Sequence, residues 1–595
     1  MLLTALTLAS LSFSVWTSEL CPPTCHCFSK LTIVRCEERR LENFPQVSSD
    51  TEQLFISDNQ IQNVPQQGLE NLQVLDLTKN QLNLFFSLQP LWPNMTRLSK
   101  LLLRNNNLTF LRAGQFVNCP ALTVLDLSGN QIEHLPSGFL HGLVNLEKLF
   151  LNFNQIQLLQ AGALEGAPAL ETLHLDHNMI AQIGNDVFNS SGMLTSLILS
   201  SNQIREVTTA SFKEAASLKY LDLSSNQLLS VPSDALKRLP FIELLYLQKN
   251  CIVSLPDDCF SSLRLLLRLD LSSNHLSSLS EGSLRGLSSL TDLHLGLNHI
   301  TSLPPNIFTH MESLEFLDMF ANRLESLHPD VFNGLSELQE LELDNNQISE
   351  LPVGIFHSLT KLEELQLSHN HIQELHPEVF SKLTSLESLY MENNSLKYLP
   401  QGLFHKLTSL REIHLDGNHL CVLHPSVFDG LVNLSTLRLS DNQLASLHPL
   451  QFKDLSVLRE LSLDGNQLDH LQPGVFQGSR DLKNLSLRSN RLRVLENGTL
   501  EPLENLSKIY LSGNMWDCTS MDVLYVSQWV DEHKDLLGDN PSCFFFSSVS
   551  QPDLSSLHRN FTASKNGSPS LPVEKLTQLT LRCLVSHSLL WFGFL

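Results

Sequence analysis

Apolar residues recur along this chain in rows of one form, leucine-x-x-leucine-x-leucine-x-x-asparagine. Leu122, Leu125 and Leu127 precede Asn130; Leu218, Leu221 and Leu223 precede Asn226; Leu458, Leu461 and Leu463 precede Asn466. From Asn106 to Asn514 every step between row-closing asparagines is 24 residues, and two less regular rows end at Asn59 and Asn80, making 20 rows. Within Leu-x-Leu the side chains alternate, so the leucines point inward and the residue between them points out, as in a half-buried strand. So short a strand satisfies its backbone only by pairing with the next row, which predicts parallel strands about 4.8 Å apart and a contour of roughly 95 Å. The asparagine falls where the chain leaves the strand, and a buried amide there must bond to the backbone of neighbouring rows. Ten residues further on a phenylalanine recurs, at Phe116, Phe188, Phe212, Phe260, Phe308, Phe332, Phe356, Phe380, Phe404, Phe428, Phe452 and Phe476. These rings are expected to stack as an apolar spine on the side away from the sheet.

No single row buries its leucines alone, so stability is a sum over neighbours and the two open ends need caps. Four cysteines stand before the first row, Cys21, Cys25, Cys27 and Cys36, and Cys518 and Cys543 follow the last. Cysteines grouped at the termini read as staples formed in an oxidising compartment. The rival reading, a zinc site, lacks the paired C-x2-C spacing of a zinc ribbon. Residues 1–18 are mostly apolar and suit a secretory signal. The expected organisation is a signal at 1–18, a cysteine-rich cap at 21–50, repeats at 51–513, a closing cap at 514–550 containing a helix near 523–533, and a Ser/Pro-rich linker with an apolar tail at 551–595.

The formal charge of −23, from 62 acidic and 39 basic residues, repels nucleic acid and anionic membrane and favours a basic partner, although solubility alone accounts for it equally well. No G-x-S-x-G elbow, H-E-x-x-H, P-loop or post-strand G-x-G-x-x-G is present, so neither an enzyme nor a cofactor nor a metal site nor a small-molecule substrate is expected. Of the 23 histidines, His328, His376, His424 and His448 each precede a proline six residues past the asparagine. They read as solvated residues along one edge, with metal binding or pH sensing as the rival.

The chain resembles the extracellular leucine-rich-repeat proteins of the 24-residue class that carry cysteine-flanked caps, and is similar to the regulatory subunit of carboxypeptidase N, the acid-labile subunit of the growth-factor-binding complex and platelet glycoprotein V. That resemblance implies an α/β-type leucine-rich-repeat solenoid: a right-handed curved coil with a parallel β-sheet on its concave face. It also implies the bridges Cys21–Cys27 and Cys25–Cys36. In the closing cap the family's C-x-C has become Cys518-x-Ser520, so Cys518–Cys543 is the one bridge retained. Cys119, Cys251, Cys259, Cys421 and Cys583 are left over; Cys251 and Cys259 share a row, and pairing or free buried thiols are both open to them.

Specificity is expected on the concave face. Its outward positions form an apolar zone with Phe150, Phe153, Ile198, Tyr220 and Tyr246, then an acidic zone with Asp318, Glu340, Glu342, Asp344, Glu364, Tyr390 and Glu392. Exposed aromatic patches mark interaction sites. Leu-Asp-Leu and Leu-Glu-Leu are also common filler in the family, so the acidic zone reads equally as plain charged surface. Glycosylation sequons stand at Asn94, Asn107, Asn189, Asn393, Asn433, Asn484, Asn497, Asn505, Asn560 and Asn566. The expected function is a non-catalytic extracellular scaffold that binds a partner protein and serves as a recognition module or carrier subunit; the alternative is a matrix or cell-surface protein adhering to collagen or proteoglycan. Secretion is the expected location, with a GPI anchor carried by the tail as the alternative.

Overall fold

The computed structural model describes residues 21–83, 92–543 and 553–554. The signal at 1–18, nearly all of the tail, Asn560, Asn566 and Cys583 lie outside the described residues. The chain forms two compact units, 1–251 and 252–595.

The first unit begins with an antiparallel hairpin, β1 (His26–Phe28) and β2 (Ile33–Arg35), stapled by Cys21–Cys27 and Cys25–Cys36. The hairpin starts the stack, because β2 pairs in parallel with the strand Gln53–Phe55 of the first row. Three-residue strands then follow row by row to Leu244–Tyr246, all parallel, with each central leucine opposite the next, as Leu197 faces Leu221. A second, shorter parallel pair forms between Leu158–Leu159 and Gln182–Ile183. The second unit repeats the arrangement from Arg268–Asp270 to Lys508–Tyr510. These stacks of parallel turns are the leucine-rich-repeat solenoid that the residue pattern predicts.

The asparagine ladder works as its position demands. All 20 row-closing asparagines are buried. Asn298 shows the pattern: its Nδ2 donates to the carbonyls of Leu295 in its own turn and Leu271 in the preceding one, each at 3.0 Å, and its Oδ1 accepts the amide of Leu276 at 3.0 Å. One side chain thus ties two turns together through backbone groups that would otherwise be buried without partners. The residue just before each asparagine adopts a left-handed backbone, with φ between 51° and 75° at all 20 positions, and only Gly129, Gly417, Gly465 and Gly513 among them are glycine.

The phenylalanines are buried and stack ring on ring. Phe308, Phe332, Phe356 and Phe380 lie 6.1–6.4 Å apart in sequence, as do Phe404, Phe428, Phe452 and Phe476. The closing cap has the expected helix, Leu524–Glu532, a fully buried Trp516, and Cys518 bonded to Cys543. The final strand has no further turn to accept its outgoing amides. Asp539 supplies the acceptor instead, its carboxylate taking the amides of Leu511 at 3.0 Å and Ser512 at 2.9 Å, and pairing with Arg488 at 3.0 Å. Those hydrogen bonds outweigh burial and hold the Asp539 carboxyl below its ordinary range. Cys119, Cys251 and Cys259 are free thiols, so Cys251 and Cys259 form no disulfide; burial pushes the thiols of Cys119 and Cys259 up to about 12.

Candidate binding surface

In each strand the central aliphatic residue, nearly always leucine, is buried and its two neighbours are half-buried or exposed, so within each unit the outward residues of successive turns form two columns on the sheet. A third column follows two residues past each strand.

In the first unit the sheet face is aromatic. Phe150 meets His174 edge-on with ring centres 4.8 Å apart, and Tyr220 lies 5.3 Å from Tyr246. Ile198 is half-buried between them in the same column. Burial lowers the His174 pKa against the opposing pull of Asp176 and Asp126, so the ring favours its neutral, apolar form. Burial, with Asp222 adding to it, pushes the Tyr220 phenol up to about 12. Phe153 is placed differently from the other members of its expected zone. It occupies the left-handed position before Asn154, past the strand, is 50% exposed, and stacks on His177 at 4.3 Å.

In the second unit the sheet face turns acidic. Asp318, Glu340, Glu342, Asp344 and Glu364 occupy three consecutive turns. Among the described residues, none of these five carboxylates pairs with lysine or arginine; Asp318 has only His294 as a cationic neighbour, 3.8 Å away. Burial pushes the Glu342 carboxyl up to about 7, helped by Asp318, Glu340, Asp344 and Glu364. Glu340 is raised by burial and by Glu364, and Asp344 chiefly by burial. At His294 burial favours the neutral ring, but the facing carboxylate of Asp318 and the charge of Asp270 prevail and raise its pKa. Tyr390 and Glu392 lie further along the same face, where Tyr390 meets His414 edge-on at 4.8 Å.

The expected residues therefore separate into an aromatic group on one unit and an acidic group on the other. The histidines of the central column, His174, His294 and His414, are integral to both groups, and their place in the column was the signal that could have selected them. The four histidines preceding proline have a local structural role. The Nδ1 atoms of His328, His376, His424 and His448 each accept the backbone amide two residues on, at 3.1–3.3 Å, and so cap the turn after the proline.

All eight sequon asparagines within the described residues are exposed, in contrast to the buried ladder beside them: Asn107 is open where Asn106 is hidden, and Asn393 where Asn394 is hidden. Asn484 lies on the strand Asn484–Ser486, on the sheet face itself. Among the described residues no helix is long and apolar enough to cross a membrane.

The family described as Leucine rich repeat matches this chain in overlapping blocks running from residue 96 to residue 515. Leucine-rich repeat-containing protein 3 of Danio rerio is 42% identical over 69 residues, which is 11% of this chain and 26% of that protein. The chain thus spans about a quarter of that relative's length. Among solved structures, the Toll–Spatzle complex of Drosophila aligns with a TM-score of 0.68 at 21% identity, covering 86% of this chain and 67% of that one. A leucine-rich-repeat protein of Leptospira interrogans aligns at 0.57 with 26% identity, covering 71% and 97%. A plant peptide hormone receptor, RGFR1 in complex with RGF2, aligns at 0.54 with 22% identity, covering 83% of each chain. With a repeat match across more than half its length, and with buried leucines and asparagines in the register that match requires, this chain belongs to the leucine-rich-repeat family.

Proposed function

We propose that this protein is a non-catalytic extracellular scaffold that binds a basic partner protein on the outward face of its sheet. The observation that carries the reading is the run of carboxylates at Asp318, Glu340, Glu342, Asp344 and Glu364, which has no lysine or arginine partner among the described residues. Neighbouring strands bring these charges within about 5–10 Å of one another. That is close to the physiological screening length of about 8 Å, so they repel, and a basic surface docking there relieves the repulsion. Such complementarity speeds encounter more than it slows release. On the first unit, the Phe150 and Tyr246 clusters offer apolar anchors of the kind that set dissociation rates. An extracellular setting is supported by the three disulfides and by sequons that stand open to solvent. The Toll and plant-receptor neighbours are described in complexes with Spatzle and RGF2, which fits a recognition role for the same fold. Adhesion to proteoglycan is disfavoured at the acidic face, since a polyanionic glycan would be repelled there.

The test is capture from extracellular fluid with the secreted chain, followed by association kinetics at several salt concentrations. Reversing Glu340, Glu342 and Asp344 to Lys should abolish the salt dependence and slow association at least tenfold. Association that is insensitive to salt and unmoved by the reversal would place the partner elsewhere.

A further inference from the structure

Beyond the acidic run, the sheet of the second unit brings three different ligand-bearing side chains to one point. Glu392 and Asp416 hold equivalent positions two residues past the strands Ser388–Tyr390 and Glu412–His414, and His414 ends the second of these strands. One atom from each side chain, an imidazole nitrogen and two carboxylate oxygens, lies within 4.8 Å of the other two. The His414 Nδ1 is 2.9 Å from Glu392 Oε1. Two atoms each about 2.1 Å from a shared cation stand about 3.0 Å apart at a right angle and about 3.4 Å apart at the tetrahedral angle, so this edge is within about 0.5 Å of the span of a coordination polyhedron.

The surroundings hold the three groups in place without neutralising them. The Ser368 hydroxyl bonds the other oxygen of Glu392, and Asp416 Oδ1 accepts the Ser440 amide at 2.7 Å. The His414 and Glu392 side chains are only 14% and 20% exposed, and the edge-on Tyr390 ring fixes the imidazole plane. Among the described residues neither carboxylate pairs with lysine or arginine; Arg438, beside His414 on the next strand, turns to Glu460 at 2.8 Å. The His414 Nε2 is buried without a hydrogen-bond partner, and Glu412 Oε2 lies 3.7 Å away. If a cation occupies Nδ1, the proton of the neutral ring resides on Nε2 and points towards that carboxylate, the usual outer partner of a metal-bound histidine.

We propose that Glu392, His414 and Asp416 form a binding site for a divalent transition cation of the zinc class. This revises the expectation, from sequence, of no metal. One imidazole and two carboxylates suit zinc or manganese; calcium takes six to eight oxygens and has no use for the ring nitrogen. Three protein ligands leave at least one position for water or for an oxygen of a bound partner.

The experiment uses the secreted chain and the metal alone. Zinc is titrated against a chromophoric chelator at pH 7.5 into the wild type, His414→Gln, Asp416→Asn and the control His369→Gln, with circular dichroism confirming that each is folded. The first two variants should each bind one equivalent fewer than the wild type, and the control should match it; counting by difference removes weak binding at the other histidines. Cobalt added to the wild type should give visible d–d absorption that one equivalent of zinc removes, a readout that needs no variant. Equal zinc stoichiometry in all four proteins, or no zinc-displaceable cobalt band, would overturn the proposal and leave His414–Glu392 as an ion pair between turns.

Discussion

Replacing Asn298 with Ala tests the ladder at a position where the losses are countable. The side chain is 3% exposed and makes hydrogen bonds to backbone groups of Leu271, Leu276, Leu295 and Gly296, so deleting it affects four of them. They do not suffer equally. The Leu271 carbonyl keeps the side-chain amide of Asn274 at 3.0 Å, the Leu295 carbonyl keeps that of Asn322 at 3.0 Å, and the Gly296 carbonyl keeps the Ser273 N–H at 2.9 Å. Only the Leu276 N–H is left wholly without a partner, which costs about 1–3 kcal/mol. The void and the three weakened carbonyls add to this, for a total of about 3 kcal/mol, or roughly two decades in a local opening constant. A repeat array opens in segments, so a single melting temperature is a blunt measure. Native-state hydrogen exchange is the better assay: protection of the Leu276 amide and its neighbours should fall about a hundredfold, with distant turns unchanged. Exchange within threefold of wild type throughout would refute the view that the asparagines hold the turns together.

Glu342 makes stability depend on pH with a definite sign. Its folded-state pKa of about 7 lies above its ordinary 4.5, so the contribution is full below about pH 4.5 and is lost as pH rises through 7. After discounting for its half-exposed position the loss is about 1 kcal/mol, and Glu342→Gln should flatten urea midpoints measured from pH 4.5 to 7.5; an unchanged slope counts against the crowded-carboxylate picture. Converting Cys518 and Cys543 together to serine removes a link between residues 25 apart and should cost about 3 kcal/mol in the closing cap, seen as early protease cleavage after the last strand; wild-type resistance there would show that the helix and Trp516 suffice. Phe380→Ala, at a fully buried ring stacked 6.1 Å from Phe356, should cost about 3–5 kcal/mol by chemical denaturation, and a loss below 1 kcal/mol would mean that the spine merely fills space.

The repeat, the phenylalanine spine and the cap bridges were legible because each depends on residues at a fixed spacing. What escaped notice depends on contacts along the diagonal. His414 reaches back 22 residues to Glu392, and Ser462 and Ser486 reach back by the same offset to Ser440 and Asp464. Aligning the chain every 24 residues stacks Glu392 on Asp416 but sets His414 in another column, so the alignment does not bring the three together although each is in view. Asp539 escaped for another reason: its role comes from the absence of a next turn, which no repeat pattern encodes. The proline-linked histidines looked like chemistry because the sequence shows the ring and hides the backbone amide that it caps.

The left-handed position before each asparagine acts as a filter on which mutations this stack can accept. Its 20 occupants include aspartate, lysine, asparagine, phenylalanine, histidine, serine, leucine, alanine and glycine, but no valine, isoleucine or threonine. A side chain branched at Cβ collides with its own backbone in that conformation, whereas an unbranched one clears it at modest cost. Side chains there also turn outward, as the half-exposed Phe153 and Leu297 do. The chain can therefore vary charge, size and aromaticity along this edge, one turn at a time, while a single methyl in the wrong place is forbidden. An edge with so much chemical freedom and so narrow a steric constraint is where related chains can diverge in what they recognise while leaving the stack beneath them unaltered.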